Sequence, residues 1–237
     1  CNGSSGSTSS DTYRGPTAGS EPETQALMGL VARTQPVFDI SYHSYSELVL
    51  YPYGCDGQRT PTQEIVEGVG KELAKLLPND GRSGTYEPGT PWEILYGVDG
   101  GDIDWMYHEY NVIPYVIELN SRSAGFQPPY SLRQPTVEKV RPAWGMLLDR
   151  MLTGSGVRGL VTDGSGRANP DVMVTVDSLG DNGLASSTSQ VKADGTYHLI
   201  LKPGMYRLTF MLNGMMAERE ITISNNRVDL DVTLGLL

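Results

Sequence analysis

Apolar residues recur at helical spacing in three stretches of the chain, and at a spacing of two in most of the chain beyond residue 154. Ala26, Leu27, Leu30 and Val31 share one helical face. They come after Ser20-Glu21-Pro22-Glu23, whose Ser-x-x-Glu spacing is that of a capping box with proline in the first turn. Ile65, Val66, Val69, Leu73, Leu76 and Leu77 form a second stripe, opened at Thr60-Pro61 and stopped by Pro78-Asn79-Asp80-Gly81. A third helix is expected over Thr136 to Leu152, with Val140, Trp144, Leu147, Leu148 and Met151 inward and Pro142 kinking its first turns. A shorter one is expected over Asp104 to Asn111. One apolar stripe per helix is what a packed layer requires, so these positions are core.

Between the helices, Asp39 to Gly54 is rich in β-branched and aromatic residues and predicts a strand that stops in a turn at Pro52 and Gly54. Ile113 to Leu119 predicts a buried strand that tolerates Pro114 near its start. Arg82 to Thr90 reads as a loop, and Asp99-Gly100-Gly101-Asp102 as a flexible turn. After Gly154-Ser155-Gly156 the pattern changes: Val172, Val174 and Val176 alternate with Met173 and Thr175. Turn pairs recur at Asp163-Gly164, Asp194-Gly195, Pro203-Gly204 and Asn213-Gly214. That rhythm predicts about seven short antiparallel strands in a sandwich. The expected organisation is an α/β domain over residues 1–153 and an all-β domain over residues 154–237.

With 18 basic and 28 acidic residues the net charge is -10, which disfavours nucleic acid or an anionic membrane surface as partner. No apolar run is long enough to span a bilayer. Two cysteines, Cys1 and Cys55, cannot build a disulfide framework and bound the redox compartment only weakly. The Ser, Thr, Gly and Tyr content suits an exported protein.

Two residues carry candidate chemistry. His43 lies near a strand end among small hydroxyl residues, where a strand fixes the backbone and the adjoining loop leaves the side chain open. Glu118 lies in an apolar strand, where a carboxylate without a partner is costly. Such a group is paired with a cation or metal, or has its pKa raised for work as a base. On structural grounds alone a lone strand histidine is more often a structural residue than a ligand.

The segment His43-Ser44-Tyr45-Ser46-Glu47-Leu48-Val49-Leu50-Tyr51-Pro52-Tyr53-Gly54 resembles the third zinc-ligand segment of the zinc carboxypeptidases of the A/B/T type. Ser10-Asp11-Thr12-Tyr13-Arg14-Gly15 resembles the segment before a surface helix of that family, and Gly101-Asp102-Ile103-Asp104-Trp105 its specificity loop. Glu118, in Pro114-Tyr115-Val116-Ile117-Glu118-Leu119, falls at the family's catalytic glutamate, and the spacing from Tyr96 through Ile103 to Glu118 matches without a gap. The resemblance implies a mixed sheet with helices on both faces and removal of C-terminal residues from peptides. It implies that His43 binds Zn2+ and that Glu118 moves the proton. Tyr96 would close over the terminal residue, Ser44 and Tyr45 would hold the penultimate part, and Ile103 and Gly54 would shape the pocket for an apolar side chain. It also implies a cis peptide bond between Ser44 and Tyr45. Taken singly, Tyr96 and Tyr45 could equally be core aromatics.

One part of the pattern is missing. The family's other two zinc ligands come from an upstream His-x-x-Glu, with substrate-binding arginines and an asparagine also upstream. The histidines here are His43, His108 and His198, and none has a glutamate three residues on. The chain is therefore expected to hold the C-terminal part of the catalytic domain, and to be inactive alone. The rival reading is a non-catalytic peptide-binding or cell-surface module that kept the scaffold.

Gly156 to Asp163, with Asp194-Gly195-Thr196-Tyr197 and Pro203-Gly204-Met205-Tyr206, resembles the transthyretin-like domain appended to regulatory-type carboxypeptidases. No chemistry is expected there. His198 is read as structural or surface and His108 as a solvated helix residue. Cys1, at the head of a Gly/Ser-rich tract, has two readings: an acylated lipoprotein start, or a mid-domain loop of the bacterial carboxypeptidase T type. A secreted or extracytoplasmic location, with cell-surface placement as a variant of it, is the expectation.

Overall fold

The computed structural model describes residues 1–235, which divide into two compact units. The first is built mainly on residues 1–147 and the second on the residues from Leu148 onward. The final two residues of the expected second domain lie outside the described residues.

The first unit holds a four-stranded mixed sheet. Its strands are β1 (Phe38–Ser44), β2 (Leu48–Leu50), β3 (Glu87–Gly89) and β4 (Ile113–Leu119), in the order β1-β4-β2-β3. The single strand expected over Asp39 to Gly54 is two. Glu47 takes a left-handed φ of 62°, which ends the extended run, and its amide donates to the Glu118 carbonyl at 2.9 Å. The chain thus passes from one side of β4, where β1 is parallel to it, to the other, where β2 is antiparallel. The Ser44–Tyr45 peptide bond is cis, as the resemblance implied, and so is Pro52–Tyr53. The expected loop at Arg82 to Thr90 contains the edge strand β3, paired in parallel with β2. Its Glu-Pro-Gly composition hides it, because an edge position tolerates the missing proline N–H.

Both faces of the sheet are covered at β2 and β4, while the edge strand β1 leaves Tyr42 and His43 exposed. On one, helix α2 (Gln63–Lys75) packs on Tyr51 and Tyr115, and the Tyr115 hydroxyl donates to the Val66 carbonyl at 2.8 Å. The other face carries Leu48, Leu50 and Val116, clustered with Ile103 of helix α4 (Asp102–Tyr110) and with Ile94 of the short helix α3 (Pro91–Ile94). Helix α1 (Pro22–Thr34) places Val31 against Met106 and Val112. Its expected capping box is not formed: the Ser20 hydroxyl donates to the Glu21 carboxylate instead. Leu30 and Leu76, expected inside, are exposed. In helix α5 (Arg133–Thr153), which runs through Pro142, the buried residues are Val140, Ala143 and Leu147. Trp144 and Leu148 are exposed, because the small Ala143 rather than Trp144 completes the inward row.

Two glycines in α2 give a test of opposite signs. A Cβ at Gly70 would lie 2.8 Å from the Tyr51 ring and 3.2 Å from that of Tyr115, whereas one at Gly68 would meet nothing within 4 Å. Gly70→Ala overpacks the helix–sheet contact and is expected to cost about 1–3 kcal/mol before helix propensity offsets part of it. Gly68→Ala is expected to stabilise by up to about 1 kcal/mol through propensity alone. Denaturant unfolding of the two variants should move in opposite directions, and a shift of the same sign would refute the packing account.

Cys1 and Cys55 form one disulfide, with their Cα atoms 5.6 Å apart. The bond uses the sulfur that an acylated Cys1 would need.

The second unit contains eight strands among the described residues, against the expected seven or so: β5 (Gly156–Asp163), β6 (Met173–Ser178), β7 (Ser187–Gln190), β8 (Thr196–Ile200), β9 (Gly204–Leu212), β10 (Met215–Ile223), β11 (Arg227–Asp229) and β12 (Val232–Leu234). One sheet, β10-β9-β6-β7, is antiparallel throughout. The other is not: β5 pairs antiparallel with β8 but parallel with β11 and β12. Alternation of apolar residues reports which face is buried and is blind to strand direction, so the expectation of antiparallel pairing alone is corrected here. Where β11 gives way to β12, a Cβ at Gly159 would fall 1.8 Å from the Leu230 carbonyl oxygen, so only glycine admits the crossing. Tyr206, Leu208 and Phe210 of β9 are fully buried, and Phe210 meets Tyr197 edge-on at 5.3 Å between ring centroids.

Candidate active site

β1 and β4 run side by side with His43 opposite Glu118, so the two side chains leave the same face of the sheet. On the far side of Glu118, Leu48 of β2 occupies the matching position, and Leu50, Val116 and Ile103 continue the apolar surface. Glu118, only 8 % exposed, therefore sits where an apolar cluster meets an open histidine. Burial raises its pKa above the ordinary carboxyl value, and the nearby charge of His43 opposes that rise. His43 itself is exposed, and its Nε2 lies 3.1 Å from the Ser41 hydroxyl two residues back on the same strand face. A carboxyl group whose pKa burial has raised is better matched to accepting and returning a proton than a fully solvated one.

The residues after His43 are fixed by a loop that sequence reasoning missed. The Ser44 hydroxyl donates to the Phe126 carbonyl at 2.9 Å, and the Tyr45 ring lies 4.9 Å from the Phe126 ring, tilted by 51°. Tyr45 also lines a cavity of about 440 Å³ with Ser46, Glu47, Arg82, Ser121 and Arg122. Glu47 braces that wall: it is buried, pairs with Arg82 at 2.7 Å and accepts the Asp80 amide. Nothing in the local sequence of Phe126, an exposed aromatic beyond Gly125, signals this contact.

Gly54 and Ile103 are brought together through Asp104. The Gly54 amide donates to both Asp104 oxygens, at 3.0 and 3.1 Å, and the Val98 amide donates to the Gly54 carbonyl at 2.9 Å. Burial raises the pKa of Asp104, the Gly54 amide pulls it back, and Asp102 adds to the rise. Ile103 is 4 % exposed, within the apolar cluster beside Glu118. Asp102 accepts the Ile103 amide at 2.9 Å, at the first turn of α4, and Asp99 accepts the Gly3 amide at 3.1 Å. Tyr96, between α3 and α4, is 63 % exposed.

A catalytic zinc takes three protein ligands and keeps one position open. Among the described residues no group of three His, Cys, Asp or Glu side chains comes together to hold a metal ion. His108 is exposed on α4. His198 lies on β8 opposite Arg158, its pKa depressed to about 4 by burial and then by Arg158, Arg227 and Lys192, against a smaller pull from Asp229. The residues of this chain, offering His43 alone, do not fit a bound zinc by themselves.

Residues 1–143 match the model of the zinc carboxypeptidase family and residues 156–235 that of the carboxypeptidase regulatory-like domain. The chain belongs to the zinc carboxypeptidase family, with a regulatory-like β domain after the family's own fold. Among its relatives are zinc carboxypeptidase A 1 of Anopheles gambiae, 38 % identical over 49 % of this chain and 28 % of that protein, and carboxypeptidase B of Rattus norvegicus, 36 % identical over 52 % and 30 %. The structure of bovine thrombin-activatable fibrinolysis inhibitor in complex with tick carboxypeptidase inhibitor aligns with a TM-score of 0.57 at 30 % identity, covering 63 % of this chain and 51 % of that one. The chain thus spans about a third of the length of these two curated relatives.

Proposed function

We propose that residues 1–153 are the C-terminal part of a metallocarboxypeptidase catalytic domain that removes apolar C-terminal residues from peptides, and that residues 154–237 form its appended transthyretin-like domain. The observation that carries this reading is the register of His43 with Glu118, one open and the other buried at the edge of an apolar cluster. In this reading Glu118 takes a proton from the attacking water and delivers it to the leaving amine, a role suited to a carboxyl group whose pKa burial has raised. Ser44 and Tyr45, backed by Phe126, hold the penultimate part of the peptide. Tyr96, exposed, covers the terminal residue, and Ile103 with Gly54 shapes the pocket that receives its side chain. His43 is the chain's metal-binding residue. Zinc in such enzymes supplies Lewis acidity, and the further ligands it needs must come from outside this chain.

The apolar preference rests on how the nearby acids are used. Asp104 is engaged by Gly54, Asp102 by the Ile103 amide and Asp99 by Gly3, while Ile103 lies among Leu48, Leu50 and Val116. The disulfide fits an oxidising, extracytoplasmic compartment. Among the described residues no helix is long and apolar enough to cross a membrane. The second reading, a peptide-binding module without catalysis, draws on the same lack of a three-ligand group.

The chain alone is expected to lose zinc on dialysis and to leave a blocked dipeptide uncleaved. Extended with a segment carrying His-x-x-Glu and an Asn-Arg pair, it should retain one zinc and cleave peptides ending in Phe or Leu about tenfold or more faster than those ending in Lys or Arg. Stoichiometric zinc with cleavage by the unextended chain would sink the half-site reading. Preference for the basic pair would refute the apolar pocket, and binding without cleavage by the extended, zinc-loaded chain would favour the second reading.

A further inference from the structure

The outer face of the β10-β9-β6 sheet places three methionines in one row across three adjacent strands. Met173 of β6 pairs directly with Met211 of β9, and Met211 pairs directly with Met216 of β10. Directly opposed residues of antiparallel strands point to the same face, and neighbouring strands lie about 4.8 Å apart. The row is the exposed face: Met173, Met211 and Met216 are 39 %, 47 % and 45 % exposed, while the alternating Leu208 and Phe210 of β9 fill the core. The three side chains line a concavity of about 500 Å³ at the turn between β9 and β10, with Met215 beside them and Asp171 as its one acidic residue. The three exposed thioethers lie side by side, and each has three rotatable bonds with which to bring its sulfur inward.

We propose that this row is a site for a soft monovalent cation, Cu(I), held by the thioethers of Met173, Met211 and Met216. Thioether sulfur is a soft, neutral ligand that selects Cu(I) over Zn(II), Mg(II) and Ca(II), which prefer nitrogen or oxygen. A β-ladder suits such a site, since it fixes the three Cα positions and leaves the adjustment to the side chains. Binding involves no change of oxidation state, and the ion is taken up already reduced. The site is independent of the peptidase reading, as it uses no residue of the first unit.

The test uses the full chain, titrated with Ag(I) as a redox-inert probe, and with Cu(I) under anaerobic reductant against a chromogenic Cu(I) chelator. One ion per chain is expected, with no competition from Zn(II). Met211→Leu, which removes the central sulfur, should lower the affinity about tenfold or more, and Met173→Leu and Met216→Leu should each weaken it. Met205→Leu, an exposed methionine on the same strand but outside the row, should leave it unchanged. Bound Ag(I) should also slow peroxide oxidation of Met173, Met211 and Met216, and leave that of Met205 unaltered, as read by peptide mass mapping. Affinity unaffected by Met211→Leu in a variant with wild-type circular dichroism, or equal protection of Met205, would overturn the proposal.

Discussion

Breaking the disulfide between Cys1 and Cys55 is expected to lower the melting temperature of the first unit by roughly 10 °C. The two residues are 54 positions apart, and tying off a loop of that length restricts the unfolded chain by about 4 kcal/mol in the chain-entropy account. For a unit of this size each kcal/mol is worth about 2–4 °C. The bond also anchors the first residues of the chain to the segments that hold Gly54 and Val98, since Gly3 lies against the Gly97 backbone and donates to Asp99. Calorimetry of the oxidised protein, the reduced protein and Cys55→Ser provides the measurement. Equal melting temperatures, with the bond verified by mass spectrometry in the oxidised sample alone, would remove the disulfide from any structural role.

Glu118→Gln is expected to do two opposite things. Burial holds the folded-state pKa of Glu118 above its ordinary value of 4.5, so the folded protein binds the proton more tightly than the unfolded chain does. Stability contributed by the protonated form is full below about 4.5 and is lost as pH rises to the raised folded value. Above that value the carboxylate remains a net cost. The amide carries no charge, so the variant should melt higher at neutral pH and lose this part of the pH dependence. In a chain supplied with the missing zinc ligands, the same substitution should lower kcat by about a hundred- to ten-thousandfold, the range for a positioned general base. A lower melting temperature at neutral pH would mean that Glu118 is a satisfied structural carboxylate. Undiminished turnover would take the proton-transfer role away from it.

Most of the helices and strands of the first unit were legible as sequence because their signals are local. The α2 stripe, the α4 turn and the β4 run needed only the residues within them, and Ile113 to Leu119 is the strand found. The family resemblance rests likewise on contiguous runs, from His43 to Gly54 and from Tyr96 to Glu118. The spacing after each of the three histidines was also readable, and none has a glutamate three residues on.

Pairings between distant residues were not legible, because their energies depend on which segments become neighbours. The break at Glu47 sends β2 to the far side of β4, and only that crossing sets Glu118 between His43 and Leu48. Phe126 under Tyr45, Asp104 on the Gly54 amide and the bond from Cys1 to Cys55 each join residues at least 50 positions apart. Strand direction in the second unit belongs to the same class, for a period of two marks the buried face whichever way the partner runs. By itself, then, the sequence determined most of the helices, the buried strand β4 and the family, all of which are carried by adjacent residues. The apolar strand around Glu118 was readable, but the tertiary structure decided which distant residues, Leu48, Leu50 and Ile103, join Val116 beside it and add to the desolvation that raises its pKa.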